Sequence, residues 1–450
     1  MLGCGNTYRP VVSSFNPVGP AEQPTKYAVA IATTGANTPG LVNMIDVSGD
    51  TVLNTTQIGN NPFYLAMGIG GGLAYTLNGD GTVNDFSVAS SLIASQVDQI
   101  TLPSGALPNS LFSAGGYEYV SETGLSSIGA LQAASPPTLR QQIPVAANPV
   151  YVVGVSNAST QRVYAISNGA TPGHVAAIET STNSVSNTIT VGANPVYGVM
   201  TADSNRVFIL NKNDGTISVI NAQKNQLDSF NSPLNPAVVT STIKDPAAAR
   251  PVWADFAPTL NELIVANAGP TQGTHGTLSI ISIPLCTIFS ATTNPNCDTT
   301  NPIDANGFGT VLANVPVGIN PVWVSVLQDG TQAYVANAGT PAIPASGGNP
   351  AIPADPGSVT VINLTTNTVV ATLPAGPDLT CNPETPSAAN PLLVCGHPSS
   401  IIAVTGSPTG KVYVVSTDSI NITVIRTDID VVQTQLPLSG YGVMVRANSN

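Results

Sequence analysis

The chain has 450 residues, of which only 8% are charged, with a net charge of −12. That balance, without any basic run, excludes the clustered Lys and Arg surface that nucleic acid requires. No apolar run approaches the ~20 residues of a membrane span. Strong helix formers are sparse, while β-branched residues, 41 Gly and 38 Pro are abundant, so an all-β protein is expected.

At the N-terminus, the run Leu-Gly-Cys-Gly at residues 2–5 resembles the lipobox that ends a bacterial lipoprotein signal peptide. The resemblance implies that Cys4 becomes the lipidated first residue of the mature protein. A Pro/Gly-rich tether then runs to residue 25, and a single domain is expected over residues 26–450.

"NGDGTVNDF", residues 78–86, has the oxygen-rich look of a calcium loop. Aligned on such a loop, Gly81 falls at the sharp turn. The first ligand position, however, is Thr76 and the last is Ser87, where acidic residues are needed. Apolar strand-like flanks and a second copy, "FILNKNDGTISVI" at 208–220, favour a hairpin turn instead.

An anchor recurs along the chain: "NNPFYLAM" from Asn60, "ANPVYVVGV" from Ala147, "ANPVYGVM" from Ala193, "ARPVWADF" from Ala249 and "INPVWVSV" from Ile319. Weaker copies begin at Ala106 and Gly396. Each is followed by strands of the type "RVYAISN", "TISVIN" and "NTVVATLPA". Four strands every 40 to 50 residues mark a β-propeller blade. Such a sheet buries both faces only against its neighbours, and Pro is tolerated at the first residue of a strand.

"AYVANAG" (333–339), "GSVTVINLTTNTVVATLPAG" (357–376) and "STNSVSNTITVGANPVYGV" (181–199) resemble the YVTN-type β-propeller repeat proteins of bacteria and archaea. The resemblance covers nearly the whole chain from Lys26 and implies fold, with little about activity. The first set of strands counts only three, and "YGVMVRA" at 441–447 supplies an extra innermost strand that closes the ring. Eight blades are favoured. Seven is the alternative if "RPVVSSF" near the N-terminus opens blade one, or if the weak repeat over 106–145 is no blade.

Two glycine-rich stretches, "GIGGG" at 68–72 and "GSPTGKV" at 406–412, fall in turns between first and second strands and lack the context of a phosphate loop. The cysteines form two local pairs, Cys286 with Cys297 and Cys381 with Cys395, leaving Cys4 over. This arithmetic suggests two short disulfides and an oxidising compartment. His174, His275 and His397 all fall in loops on one face. They are the candidates for a metal cluster, but three solvated loop residues in separate blades are the favoured reading. No catalytic constellation stands out, and no cofactor or metal is expected.

Insertions are expected over 284–308, 339–357 and 376–396. The last two lie on one common face, and long ordered loops in compact folds are usually functional. Pro341, Pro344, Pro353, Asp355, Asp378 and Glu384 are therefore the expected binding-face residues. The resulting expectation is an exported, monomeric, non-enzymatic propeller, held to the bacterial envelope by lipid on Cys4 and binding a protein or a glycan. The alternative is a lactonase-like hydrolase or lyase with its site at the central channel mouth.

Overall fold

The computed structural model describes residues 26–271, 273–284, 307–340, 354–376, 393–406 and 409–448. Eight antiparallel four-stranded sheets follow one another around a central axis, each innermost strand touching the next until the last returns to the first. Blade 1 is assembled from both ends of the chain. Tyr27–Thr33, Pro39–Asp46 and Thr51–Asn60 form its outer part, and Tyr441–Ala447 pairs antiparallel with Tyr27–Thr33 as its innermost strand.

The innermost strands of blades 2 to 8 are Pro62–Met67, Pro108–Ala114, Pro149–Val153, Pro195–Met200, Pro251–Ala257, Pro321–Val326 and Pro398–Val404. All seven begin on Pro, which has no N–H to contribute to the ladder. The register slips immediately afterwards, as between Pro149 and Tyr151 or between Pro251 and Trp253. Such a bulge re-aims the side chains that follow it. The residue before Pro is left-handed at Asn61, Leu107, Asn148, Asn194, Arg250 and Asn320, with φ of 47 to 58°. Asn tolerates this conformation because its short amide bonds locally.

The weak repeat is a full blade, with strands Pro108–Ala114, Tyr117–Glu122, Ser127–Gln132 and Thr138–Pro144. Residues 78–86 form a strand, a turn and a strand. Asp80 accepts from the Thr82 amide (3.1 Å) and the Asn60 amide (2.9 Å), so its carboxylate braces the turn. Asp214 braces the second copy by accepting from the Ala193 amide (2.5 Å).

Eight apolar clusters, one at each seam between blades, make up the core. Two polar devices of the repeat reinforce them. Within a blade, the Asn that ends the second strand donates to hydroxyls of the third: Asn211 to Ser218 (2.9 Å), Asn267 to Ser279 (2.8 Å) and Asn337 to Thr360 (2.9 Å). Between blades, a second-strand Tyr donates to the left-handed residue in the third-to-fourth turn of the next blade. These pairs are Tyr119 with Asn183 (2.8 Å), Tyr334 with Asp430 (2.8 Å) and Tyr413 with Asp50 (3.1 Å).

Blade 5 departs from the repeat in a way the sequence reading did not anticipate. Its outermost strand is split into Gln226–Leu227 and Thr242–Lys244, both paired with Thr216–Asn221. A hairpin of Phe230–Ser232 and Asn235–Thr240 is inserted between them. At its base Asp228 forms a buried ion pair with Arg206, which is 0% exposed. The tether, Cys4, "RPVVSSF", Cys286, Cys297, Cys381 and the bodies of the three expected insertions lie outside the described residues.

Candidate functional site in the central channel

The bulge after each anchor Pro places the second following residue around the axis, and in five blades that residue is aromatic. Tyr151 packs on Tyr197 with ring centroids 4.7 Å apart, Tyr197 stacks on Trp253 at 4.0 Å, and Trp253 stacks on Trp323 at 3.5 Å. The Arg446 guanidinium, from the C-terminal closing strand, lies 4.3 Å from the Trp323 ring centroid. Tyr64 neighbours both Tyr151 and Arg446 and so completes the circle. Six side chains from blades 1, 2, 4, 5, 6 and 7 thus plug the channel. Burial raises the Tyr64, Tyr151 and Tyr197 hydroxyls, so all three stay protonated and keep a donor for the network.

On the anchor side of this plug is an open cavity of about 310 Å³. Its walls include Phe63, Tyr64, Tyr151, Tyr197 and Trp253, with Asn109, Ser110 and Asn168 as polar groups. Asn168 directly follows the second strand of blade 4, Arg162–Ser167. This mouth is therefore on the face of the second-to-third connections, from which the expected binding loops also depart.

On the other side of the plug, two residues further along the blade 6 strand, is Asp255. It lines a second cavity of about 650 Å³ that opens among the first-to-second turns, with Ala202, Asp203 and Pro258 at its edge. Phe112, Met200, Phe256 and Val326 give it apolar walls. Asp255 accepts from the Phe256 amide (2.8 Å) through Oδ1 and from the Val326 amide (2.9 Å) through Oδ2. Burial pushes its carboxyl up to about 6 against those two bonds. Glu262 lines the same cavity at 8% exposure, its Oε2 buried without a hydrogen-bond partner.

The expected site residues are distributed differently. His174 opens the third strand of blade 4 with its Nδ1 buried and unpartnered. His275 in blade 6 bonds through Nδ1 to the Val317 carbonyl (2.9 Å). His397 is clamped to Asp418, its Nδ1 2.6 Å from Oδ2 and its amide donating to Oδ1. Gly396 rather than His397 takes the left-handed turn there, with φ of 63°. His275 and His397 are each engaged in their own blade, and among the described residues no group of three His, Cys, Asp or Glu is placed to hold a metal.

Asp355 bridges back to Thr340 and accepts from the Gly357 amide (2.7 Å). It shares a groove of about 370 Å³ between blades 6 and 7 with His275. Pro341, Pro344, Pro353, Asp378 and Glu384 lie outside the described residues, and Cys395 is buried at 1% exposure. Sequence reasoning missed the plug and Asp255. The signal for the plug was present: Tyr or Trp recurs two residues after Pro in five anchors. Asp255 breaks the anchor pattern as the only carboxylate at its place in the repeat, which gave nothing to align.

No protein-family model matches the chain, and no curated protein matches it in sequence. Solved structures do match it in shape. The dihydro-heme d1 dehydrogenase NirN, in complex with DHE, superposes with a TM-score of 0.59 at 11% identity, over 96% of this chain and 78% of that one. Apo AztD from Citrobacter koseri gives 0.55 at 11% identity, over 94% and 97%. A putative 6-phosphogluconolactonase from Bacteroides uniformis gives 0.52 at 12% identity, over 77% and 95%. At such identities the likeness is one of fold: an eight-bladed β-propeller here, beside relatives of varied function.

Proposed function

We propose that this chain is a non-enzymatic binding propeller of the YVTN repeat type, exported to the bacterial envelope, held there by lipid on Cys4, and binding a glycan at the anchor-face mouth. The observation that carries the reading is the aromatic floor of that mouth. Tyr and Trp rings can stack on the C–H faces of sugar rings, while Asn109, Ser110 and Asn168 supply donors and acceptors for hydroxyls. The expected loops of this face would extend the surface beyond the cavity. Export is supported by the lipobox-like residues 2–5 and by the pairing pattern Cys286/Cys297 and Cys381/Cys395.

The test is tryptophan fluorescence titration against a panel of neutral and acidic oligosaccharides. Saturable binding that weakens about tenfold or more in Trp253→Leu, roughly the worth of one lost stacking contact, is expected. A wild-type chain that binds no saccharide on the panel ends this reading. A non-reducing peptide mass map of the native cell fraction tests the location: free thiols and an unmodified Cys4 would argue against export.

A lactonase-like hydrolase is the second reading, and Asp255 is the observation that favours it, since a carboxyl titrating at about 6 suits proton transfer near neutral pH. Lactone hydrolysis lost in Asp255→Asn would support it over the first.

A further inference from the structure

The cavity around Asp255 has a chemistry of its own, on the face opposite the aromatic mouth. Its volume of about 650 Å³ suits a small organic ligand rather than an ion. Its lining contains three acids, Asp203, Asp255 and Glu262, and no Lys, Arg or His. Lys26 reaches the rim, but its ammonium is tied to the Thr405 carbonyl (2.5 Å).

Two of the acids are prepared for a donor. The amides of Phe256 and Val326 take one position on each Asp255 oxygen and fix the carboxylate, leaving a lone pair free on both. Glu262 is more than nine-tenths buried and keeps Oε2 unpartnered, a state that costs free energy until a donor arrives. Asp203 is already spent on its own turn, bonding Thr201 (2.6 Å) and the Asn205 amide (3.0 Å). An anion would be repelled here, and a purely apolar guest would leave the carboxyls unsatisfied. A metal ion lacks a third ligand among the described residues.

We propose that this cavity binds a small apolar amine, with its ammonium on Asp255 and Glu262 and its hydrocarbon body against Phe112, Met200, Phe256 and Val326. A cation there reverses the effect of burial on Asp255 and favours its ionised form. The titratable groups around it are Glu262, Asp203 and the Tyr197 hydroxyl on the plug side, and burial holds Glu262 and Tyr197 toward their protonated forms as well. Amine binding should therefore take place with proton release as pH falls through about 6, and weaken below it.

The experiment is calorimetric titration of the full chain with phenethylamine and, in parallel, with its uncharged isostere 2-phenylethanol. At pH 8 the amine should bind at least tenfold more tightly than the alcohol. That preference should shrink at pH 5, and Asp255→Asn, which removes the charge, should abolish it. Equal binding of amine and alcohol, no binding of either, or a preference that survives in Asp255→Asn would overturn the proposal. The comparison of ligands and of pH uses the wild-type chain, so it stands even if the variant folds poorly.

Discussion

At the seam between blades 8 and 1, the Tyr413 hydroxyl donates to Asp50, and Lys411 pairs with the same carboxylate at 2.5 Å. At the seam between blades 5 and 6, Phe208 occupies the place of Tyr413 and Gly309 the place of Asp50. Phe208 stacks near Phe308 at 6.3 Å and meets Phe256 edge-on at 6.0 Å. A Cβ on Gly309 would come within 3.1 Å of Ile243 and 3.3 Å of Phe230. Donor and acceptor have been lost together and the space filled with rings. The repeat slot thus requires a partnered side chain, and the chemistry of the partnership is free to vary. The polar form also holds the seams between blades 3 and 4 and between blades 7 and 8.

The closing seam should be the most sensitive. Removing residues 441–448 takes away the innermost strand of blade 1, including half-buried Met444 and buried Val445, and exposes the edge of Tyr27–Thr33. Loss of that apolar burial is worth on the order of 5 kcal/mol, and the bare edge invites association. The expected result is a much lower melting temperature and oligomers on size exclusion. A truncated chain that stays monomeric and melts as before would show that closure does not depend on this strand.

The seam between blades 2 and 3 offers a third solution, and it responds to pH. There Tyr75 lies beside Glu118 instead of a turn residue, and Glu118 accepts from Ser113 (2.9 Å). Burial pushes Glu118 up to about 7 and neighbouring Asp85 up to about 6. The folded state then holds more protons than the unfolded chain between those values and the ordinary carboxylate values near 4. Stability from this seam is full below that window and falls as pH rises through it. Thermal melts should therefore show a higher midpoint at pH 5 than at pH 8, and Glu118→Gln should flatten the slope.

Exchanging the two chemistries sharpens the contrast further. Tyr413→Phe removes one hydrogen bond but leaves Asp50 paired with Lys411, a loss of about 1–2 kcal/mol. Phe208→Tyr buries a hydroxyl opposite a glycine and should cost about 1–3 kcal/mol, although it restores the residue typical of the repeat. Chemical denaturation midpoints decide both. A stabilising Phe208→Tyr would mean that the slot favours Tyr whatever faces it.

The smallest effect is expected at blades 6 and 7, where the pairing is half lost. Ile264 stands in the Tyr slot, while the turn residue Asn367 keeps φ of 56° and a buried, unpartnered Oδ1. Asn367→Gly removes the orphan oxygen and suits the left-handed turn, for a gain of about 0.5 kcal/mol. A differential scanning measurement should show a rise of about a degree.

Much of this was legible in the chain. The anchors from Asn60 to Ile319 placed the innermost strands, because a Pro that cannot donate marks a strand start wherever it recurs. The surplus "YGVMVRA" announced the closure, because a three-stranded first set needs a fourth. The hairpin in blade 5 was not legible, since "FNSPLNPAVVT" interrupts an outermost strand that touches only one neighbour and carries little pattern. The histidines were placed on a common face by topology alone, which fixes the side of the ring but not the separation around it.

Sequence by itself determined the architecture and the closing strand and favoured eight blades over seven, because periodic burial and turn chemistry are local and repeat with the chain. Only the tertiary structure decided what lies on the axis. Tyr64, Tyr151, Tyr197, Trp253, Trp323 and Arg446 are spread over nearly the whole length of the chain and meet only because eight innermost strands converge there. Asp255 acquires its shifted carboxyl from the same convergence, since its burial is supplied by side chains of other blades that no local pattern records.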